Sequence, residues 1–170
     1  MQNIKNQLQR LVILNKNNKI ITDLNVNYLA LLVKLNNNNG IMYHSNNHEW
    51  ANLYYQDLIM DCPLVEVGKK IGVGAMIWEC VPVISRAHKN VVYHREGFNI
   101  NNGISFLSKN EMYQSSIAIG TDIKNYDFLA EILEKKNELN SFLMSIDDEI
   151  SRAVEQTFSS KTISNRELHL

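Results

Sequence analysis

Twice in this chain, two runs of strand-forming residues are joined by a short polar turn. Residues 26–35 are dense in Leu, Val and Tyr, and Ile41-Met42-Tyr43 follows Asn36-Asn37-Asn38-Asn39-Gly40. Residues 103–107 and 112–119 flank Ser108-Lys109-Asn110 in the same way. Asn and Gly tolerate positive φ, so such turns reverse the chain and pair the flanking runs antiparallel. A further short run over 73–78, beside Gly72 and Gly74, reads as a fifth strand.

Helical signals surround these strands. Ile4, Leu8, Leu11, Val12 and Leu14 share one face of a helix over 2–15, which the polar stretch of Asn15, Asn17 and Asn18 ends. Asn46 and Asn47 precede Trp50, Leu53, Tyr54 and Leu58, a cap followed by an apolar face. Pro63 opens a new element, and Ser85 caps a helix to about Gly97. A long helical pattern over 125–158 carries Leu129, Ile132, Leu133, Leu139, Phe142, Leu143, Ile146, Ile150, Val154 and Phe158. Helices on both sides of a hairpin-built sheet predict an α+β fold. It is an α-β-α sandwich with an antiparallel sheet of about five strands.

Composition limits what such a domain does. Hydrophobic residues make up 45%, enough for one real core. With 17 basic and 18 acidic residues, bulk positive charge does not draw this segment to nucleic acid. No apolar run reaches the roughly 18 residues of a membrane span. Met1 to Arg10 has no apolar signal core, so the expected location is the cytoplasm. Asparagine is over-used, but the stretches between are too apolar and periodic for disorder.

Catalytic and metal patterns are weak. Cys62 and Cys80 form no disulfide framework. His44 and His48 stand four apart, with Cys62, Cys80 and His88 as further ligand types. His44, however, ends a strand, and the spacing converges only on one helix. There is no Gly-x-Ser-x-Gly turn, and Gly68, Gly72 and Gly74 lead into no phosphate-loop Gly-Lys-Ser/Thr. Asp147-Asp148-Glu149 reads as a solvated helix face. The expectation is a non-enzyme with no cofactor and no metal.

An ordered series of short matches runs from Asn46 to Asp122. It comprises Trp50 and Tyr54, Asp61-Cys62-Pro63-Leu64, Ile77-Trp78-Glu79, Glu96-Gly97-Phe98 through Gly103, Ile104-Ser105-Phe106, and the strand from Gln114 to Gly120. This series resembles the ligand-binding domain of LuxR-type quorum-sensing transcription factors. At the C-terminal end, Ile163-Ser164-Asn165-Arg166-Glu167-Leu168-His169-Leu170 resembles the opening of that family's helix-turn-helix domain. The resemblance implies a PAS-like autoinducer-binding domain over 1–158, with 159–170 as linker and stub of the DNA reader.

It also implies a small-molecule pocket near Asn46, Trp50, Tyr54, Asp61, Trp78, Val83, Phe106 and Ser116. Indole N–H and phenol O–H groups suit the carbonyls of an amphipathic ligand. Two positions depart from the family pattern. Asn46 stands where a tyrosine is usual, and Cys62 rather than an aspartate precedes Pro63, with Asp61 one step earlier. The expected signal is therefore something other than an ordinary acyl-homoserine lactone. The resemblance further implies a homodimer through the 125–158 helix, with Ile146 near its symmetry mate, and DNA contact through the missing C-terminal domain alone. A rival reading of the same fold is a ligand-independent dimerisation or antiactivator module.

Overall fold

The computed structural model describes residues 2–37, 40–123 and 127–167, with side chains described from Ile4 to Phe158. Five strands form one antiparallel sheet. They are β1 (Tyr28–Leu35), β2 (Ile41–Ser45), β3 (Gly74–Ile77), β4 (Asn102–Lys109) and β5 (Tyr113–Thr121), in the order β2-β1-β5-β4-β3. The two expected hairpins are β1–β2 and β4–β5. β5 then closes against β1, from Tyr28 opposite Gly120 to Leu35 opposite Tyr113.

Alternation along the central strands divides the interior into two cores. Leu29, Leu31 and Val33 of β1 and Ile117 and Ile119 of β5 face α1 (Gln2–Asn15), α2 (Lys19–Asp23) and α7 (Lys136–Glu167). They pack there with Ile4, Leu8, Phe142, Ile146, Ile150 and Val154. Tyr28 and Ala30 face the other way, toward α3 (His48–Leu53), α4 (Pro63–Ile71) and α5 (Arg86–Gly97), and join Trp50, Tyr54, Trp78, Val91 and Ile100. The fold is the expected sandwich, covered on both faces.

The helix starts have local causes. The Asn47 side chain accepts from the Trp50 N–H at 3.0 Å, and Ser85 Oγ accepts from the His88 N–H at 3.0 Å. Pro63 fills the first turn of α4, where its missing N–H is no loss. Asp127 accepts from the Ala130 N–H at 3.1 Å and opens α6 (Phe128–Glu134).

Several expectations need correction. The polar stretch that ends α1 leads into a short helix the pattern does not show: α2 forms behind an Asn18 cap and buries Ile20 and Ile21. The element after Asn47 is α-helical only to Leu53. It continues as a π turn over Tyr54–Leu58 and a 3-10 turn over Ile59–Asp61. The single long helix is two, α6 and α7, with Lys135 leaving helical geometry between them. Its predicted start at Asn125 lies outside the described residues. Ile146 is 1% exposed in the α1/α7 core, so it does not face a second copy. Asp147 is not solvated: it is half-buried and receives the hydroxyls of Tyr113 (3.3 Å), Ser115 (3.4 Å) and Ser108 (3.4 Å). These bonds pin α7 to β4 and β5. The backbone of α7 is helical through residues 159–167. Among the described residues no helix is long and apolar enough to cross a membrane.

Candidate functional site

β1 lays Tyr28, Ala30, Leu32 and Lys34 in order along one face of the sheet. Above them, α3 to α5 do not close down completely. A cavity of about 130 Å³ remains, floored by Leu32, Ser105, Leu107, Ser116 and Ala118 and roofed by Trp50, Tyr54, Pro63, Leu64, Val65 and Val91. The order along β1 gives it an aromatic end at Tyr28 and a lysine end at Lys34, where exposed Lys69 also borders it.

The aromatic end is a closed hydrogen-bonded cluster. Trp50 Nε1 donates to the Tyr28 hydroxyl at 3.3 Å, and the hydroxyls of Tyr28 and Tyr43 are 2.5 Å apart. The Tyr54 ring packs on Trp50 and Tyr43, with centroids 5.1 and 4.8 Å away. Burial pushes the Tyr28 phenol up to about 12 and raises those of Tyr43 and Tyr54 well above their usual range. All three are therefore neutral donors and acceptors at neutral pH.

Trp78 forms one wall. It follows β3 in a short 3-10 turn and lies against β4 and β5 where both strands have glycine. A β-carbon at Gly103 would come within 2.4 Å of the ring, and one at Gly120 within 3.1 Å. Its Nε1 donates to Ser105 Oγ at 2.9 Å. The Tyr28 ring meets it edge-on at 6.0 Å, and the Arg95 guanidinium lies 4.8 Å from its centroid. Burial pulls the Arg95 pKa below its usual value, yet a guanidinium stays charged.

Of the residues expected from the sequence, the structure brings Trp50, Tyr54, Trp78 and Ser116 to this cavity. The other four lie elsewhere. Asn46 is engaged with backbone, accepting from the Leu29 N–H (2.9 Å) and donating to Asn27 O (2.8 Å). Asp61 ends the 3-10 turn and is exposed, while Cys62 turns inward and is 3% exposed. Val83 is 39% exposed on the segment before α5. Phe106 packs into the α1/α7 core on the opposite face, because its neighbours Ser105 and Leu107 take the cavity side of β4. Sequence reasoning missed Tyr28, Tyr43, Arg95 and Ser105. Alternation along the two hairpins carries a signal for Tyr28, Tyr43 and Ser105, but nothing local marks Arg95.

His44 lies on β2 and His48 in α3. Among the described residues no three His, Cys, Asp or Glu side chains come together as a metal site.

No protein-family model matches the sequence, and no curated protein matches it. Solved structures do. The ligand-binding domain of VqsR from Pseudomonas aeruginosa superposes with a TM-score of 0.61 at 11% identity, over 88% of this chain and 93% of that one. This is the fold of LuxR-type autoinducer-binding domains. CepR2 of Burkholderia cenocepacia, an N-acylhomoserine lactone dependent LuxR-family transcription factor, matches over 81% of this chain and 79% of its own (TM-score 0.53, 14% identity). SdiA of Escherichia coli matches over 87% and 66% (TM-score 0.59, 11% identity), and a structure of SdiA in complex with octanoyl-rac-glycerol is also similar. At these identities the likeness is one of fold. In this LuxR-type fold the cavity lies between the sheet and α3–α5.

Proposed function

We propose that this chain is the small-molecule-sensing domain of a cytoplasmic LuxR-like transcriptional regulator. A ligand in the cavity would stabilise the folded domain, favour a homodimer, and so position two helix-turn-helix modules on DNA. Residues 159–170 are the linker and the start of that module. The dimer surface lies on α6 and α7, within 125–158, where Leu133 (60% exposed) and Met144 (68% exposed) leave apolar surface open. The domain is a binding module and not an enzyme.

The observation that carries this reading is the cavity. A packed core closes over an apolar gap, because the lining atoms of a void lose contacts. Here an apolar hollow persists between the sheet and α3–α5, with the aromatic residues Trp50, Tyr54 and Trp78 on its walls. The fold supports the same reading, since CepR2 is named as lactone-dependent and SdiA as a complex with an acylglycerol.

The alternative, a ligand-independent dimerisation or antiactivator module, has an observation of its own. The cavity is small, about 130 Å³, and the indole N–H groups of Trp50 and Trp78 already have protein acceptors. Thermal melts with 1-octanoylglycerol and octanoyl-homoserine lactone separate the two readings. A sensor melts several degrees higher with one of them, and the Ala118→Phe variant, whose cavity floor is filled, does not respond. Unchanged melting throughout favours the module.

A further inference from the structure

Arg95 comes from the last turn of α5 and lines the cavity beside Tyr28, Cys62 and Trp78. One face of its guanidinium is covered by the Trp78 ring. Its edge is poorly matched. Nε is buried with no acceptor, and the bond from Nη2 to Asn101 O is long, at 3.5 Å. No described carboxylate forms an ion pair with it; Glu79 and Glu96 act only at a distance and are exposed. Arg95 as a whole is half-buried, but its Nε is shielded from water, and a guanidinium N–H so placed calls for an anion or a hydrogen-bond acceptor. The neighbouring Tyr28 offers a neutral hydroxyl and no anion.

The remaining wall is of a different kind. Leu32, Val65, Met76, Val91 and Leu107 line the cavity from the guanidinium toward Lys34. A planar carboxylate fits a guanidinium edge through two parallel hydrogen bonds, and an alkyl chain fits the apolar wall. We propose that the cavity takes a short- to medium-chain carboxylic acid as its anion, with the carboxylate on Arg95 and the chain lying along β1 toward Lys34. This rests on the sensor reading above and names its ligand class. The head group is anionic, and it sits at the aromatic end of the cavity rather than at Lys34 and Lys69.

The test is titration calorimetry at pH 7 with octanoic acid and its methyl ester, on the wild type, Arg95→Gln, and a Lys34→Gln/Lys69→Gln double variant. The wild type should bind the acid at least tenfold more tightly than the ester. In Arg95→Gln the two should bind within twofold of each other, while the double lysine variant keeps the wild-type preference. Without ligand, Arg95→Gln should melt at or above the wild-type temperature, because a half-buried, poorly matched cation has been removed. Equal binding of acid and ester by the wild type overturns the anionic head and leaves the sensor reading standing. Loss of the preference in the lysine variant but not in Arg95→Gln overturns the assignment to Arg95. If neither compound binds, and 1-octanoylglycerol and octanoyl-homoserine lactone also fail to bind, this proposal and the sensor reading fall together.

Discussion

The indole of Trp78 lies against the backbone of Gly103, so closely that a β-carbon there would stand 2.4 Å from the ring. Gly103 is not among the residues with positive φ, so space rather than conformation requires glycine. Gly103→Ala should force Trp78 out of its slot and cost about 1–3 kcal/mol, as overpacking does. Gly97→Ala is the control: nothing lies within 4 Å of its added carbon, and it sits in helix α5. That change should be neutral or stabilise by up to roughly 1 kcal/mol. Urea midpoints and tryptophan fluorescence check both, and equal effects would reject the close packing of Trp78.

The Tyr28–Tyr43–Trp50 cluster should make stability depend on alkaline pH. A tyrosine is neutral when protonated, and burial pushes the Tyr28 phenol up to about 12. The folded chain thus holds this proton more tightly than the unfolded chain does. Its contribution is complete below about pH 10, the unfolded value, and is lost as the pH rises through about 12. Tyr43 and Tyr54 shift in the same direction. The urea midpoint should therefore fall across this window, and fall less in Tyr28→Phe. At neutral pH, Tyr28→Phe should cost about 1–3 kcal/mol, because Trp50 Nε1 loses its acceptor.

Asp147 and Asp148 are adjacent on α7 but differ in what they touch. Asp147 gathers the hydroxyls of Ser108, Tyr113 and Ser115, while Asp148 is exposed. Asp147→Ala should lose about 1.5–3 kcal/mol, the range for hydrogen bonds to a charged group. Asp148→Ala should stay within about 0.5 kcal/mol of the wild type. Equal losses in chemical denaturation would show that the three hydroxyls do not anchor α7.

Ile146 and Met144 separate core from interface on one helix. Ile146 is 1% exposed and Met144 68% exposed. Ile146→Glu buries an unpaired charge and should unfold the domain. Met144→Glu should leave it folded and, in a homodimer formed through this helix, shift sedimentation toward the monomer. A dimer that persists in Met144→Glu rejects this surface.

The sheet was legible because both its hairpins announce themselves. Asn/Gly and Ser-Lys-Asn turns separate runs whose pairing needs no long-range information. The caps at Asn47 and Ser85 and the proline start at Pro63 were legible for the same local reason. The short helix α2 was not, since five residues hold too few apolar positions to show a period. The break at Lys135 was not, because the apolar pattern continues across it. Of the residues that line the cavity, the ordered resemblance points to Trp50, Tyr54, Trp78 and Ser116. Phe106 shows how a one-residue error fails in a strand: its neighbour Ser105 occupies the cavity face and binds Trp78. Arg95 looks like an ordinary helix-surface arginine until α5 is laid over Trp78.

Ligand occupancy of the cavity is tested most directly by native mass spectrometry of the full chain. The chain is sprayed after incubation with octanoic acid, 1-octanoylglycerol and octanoyl-homoserine lactone in turn. A sensor should carry one of them as a one-to-one, non-covalent adduct that vanishes on denaturation and is absent from the cavity-filled Ala118→Phe variant. The bare mass with every compound, or an adduct that survives in Ala118→Phe, would contradict the cavity as the sensing site.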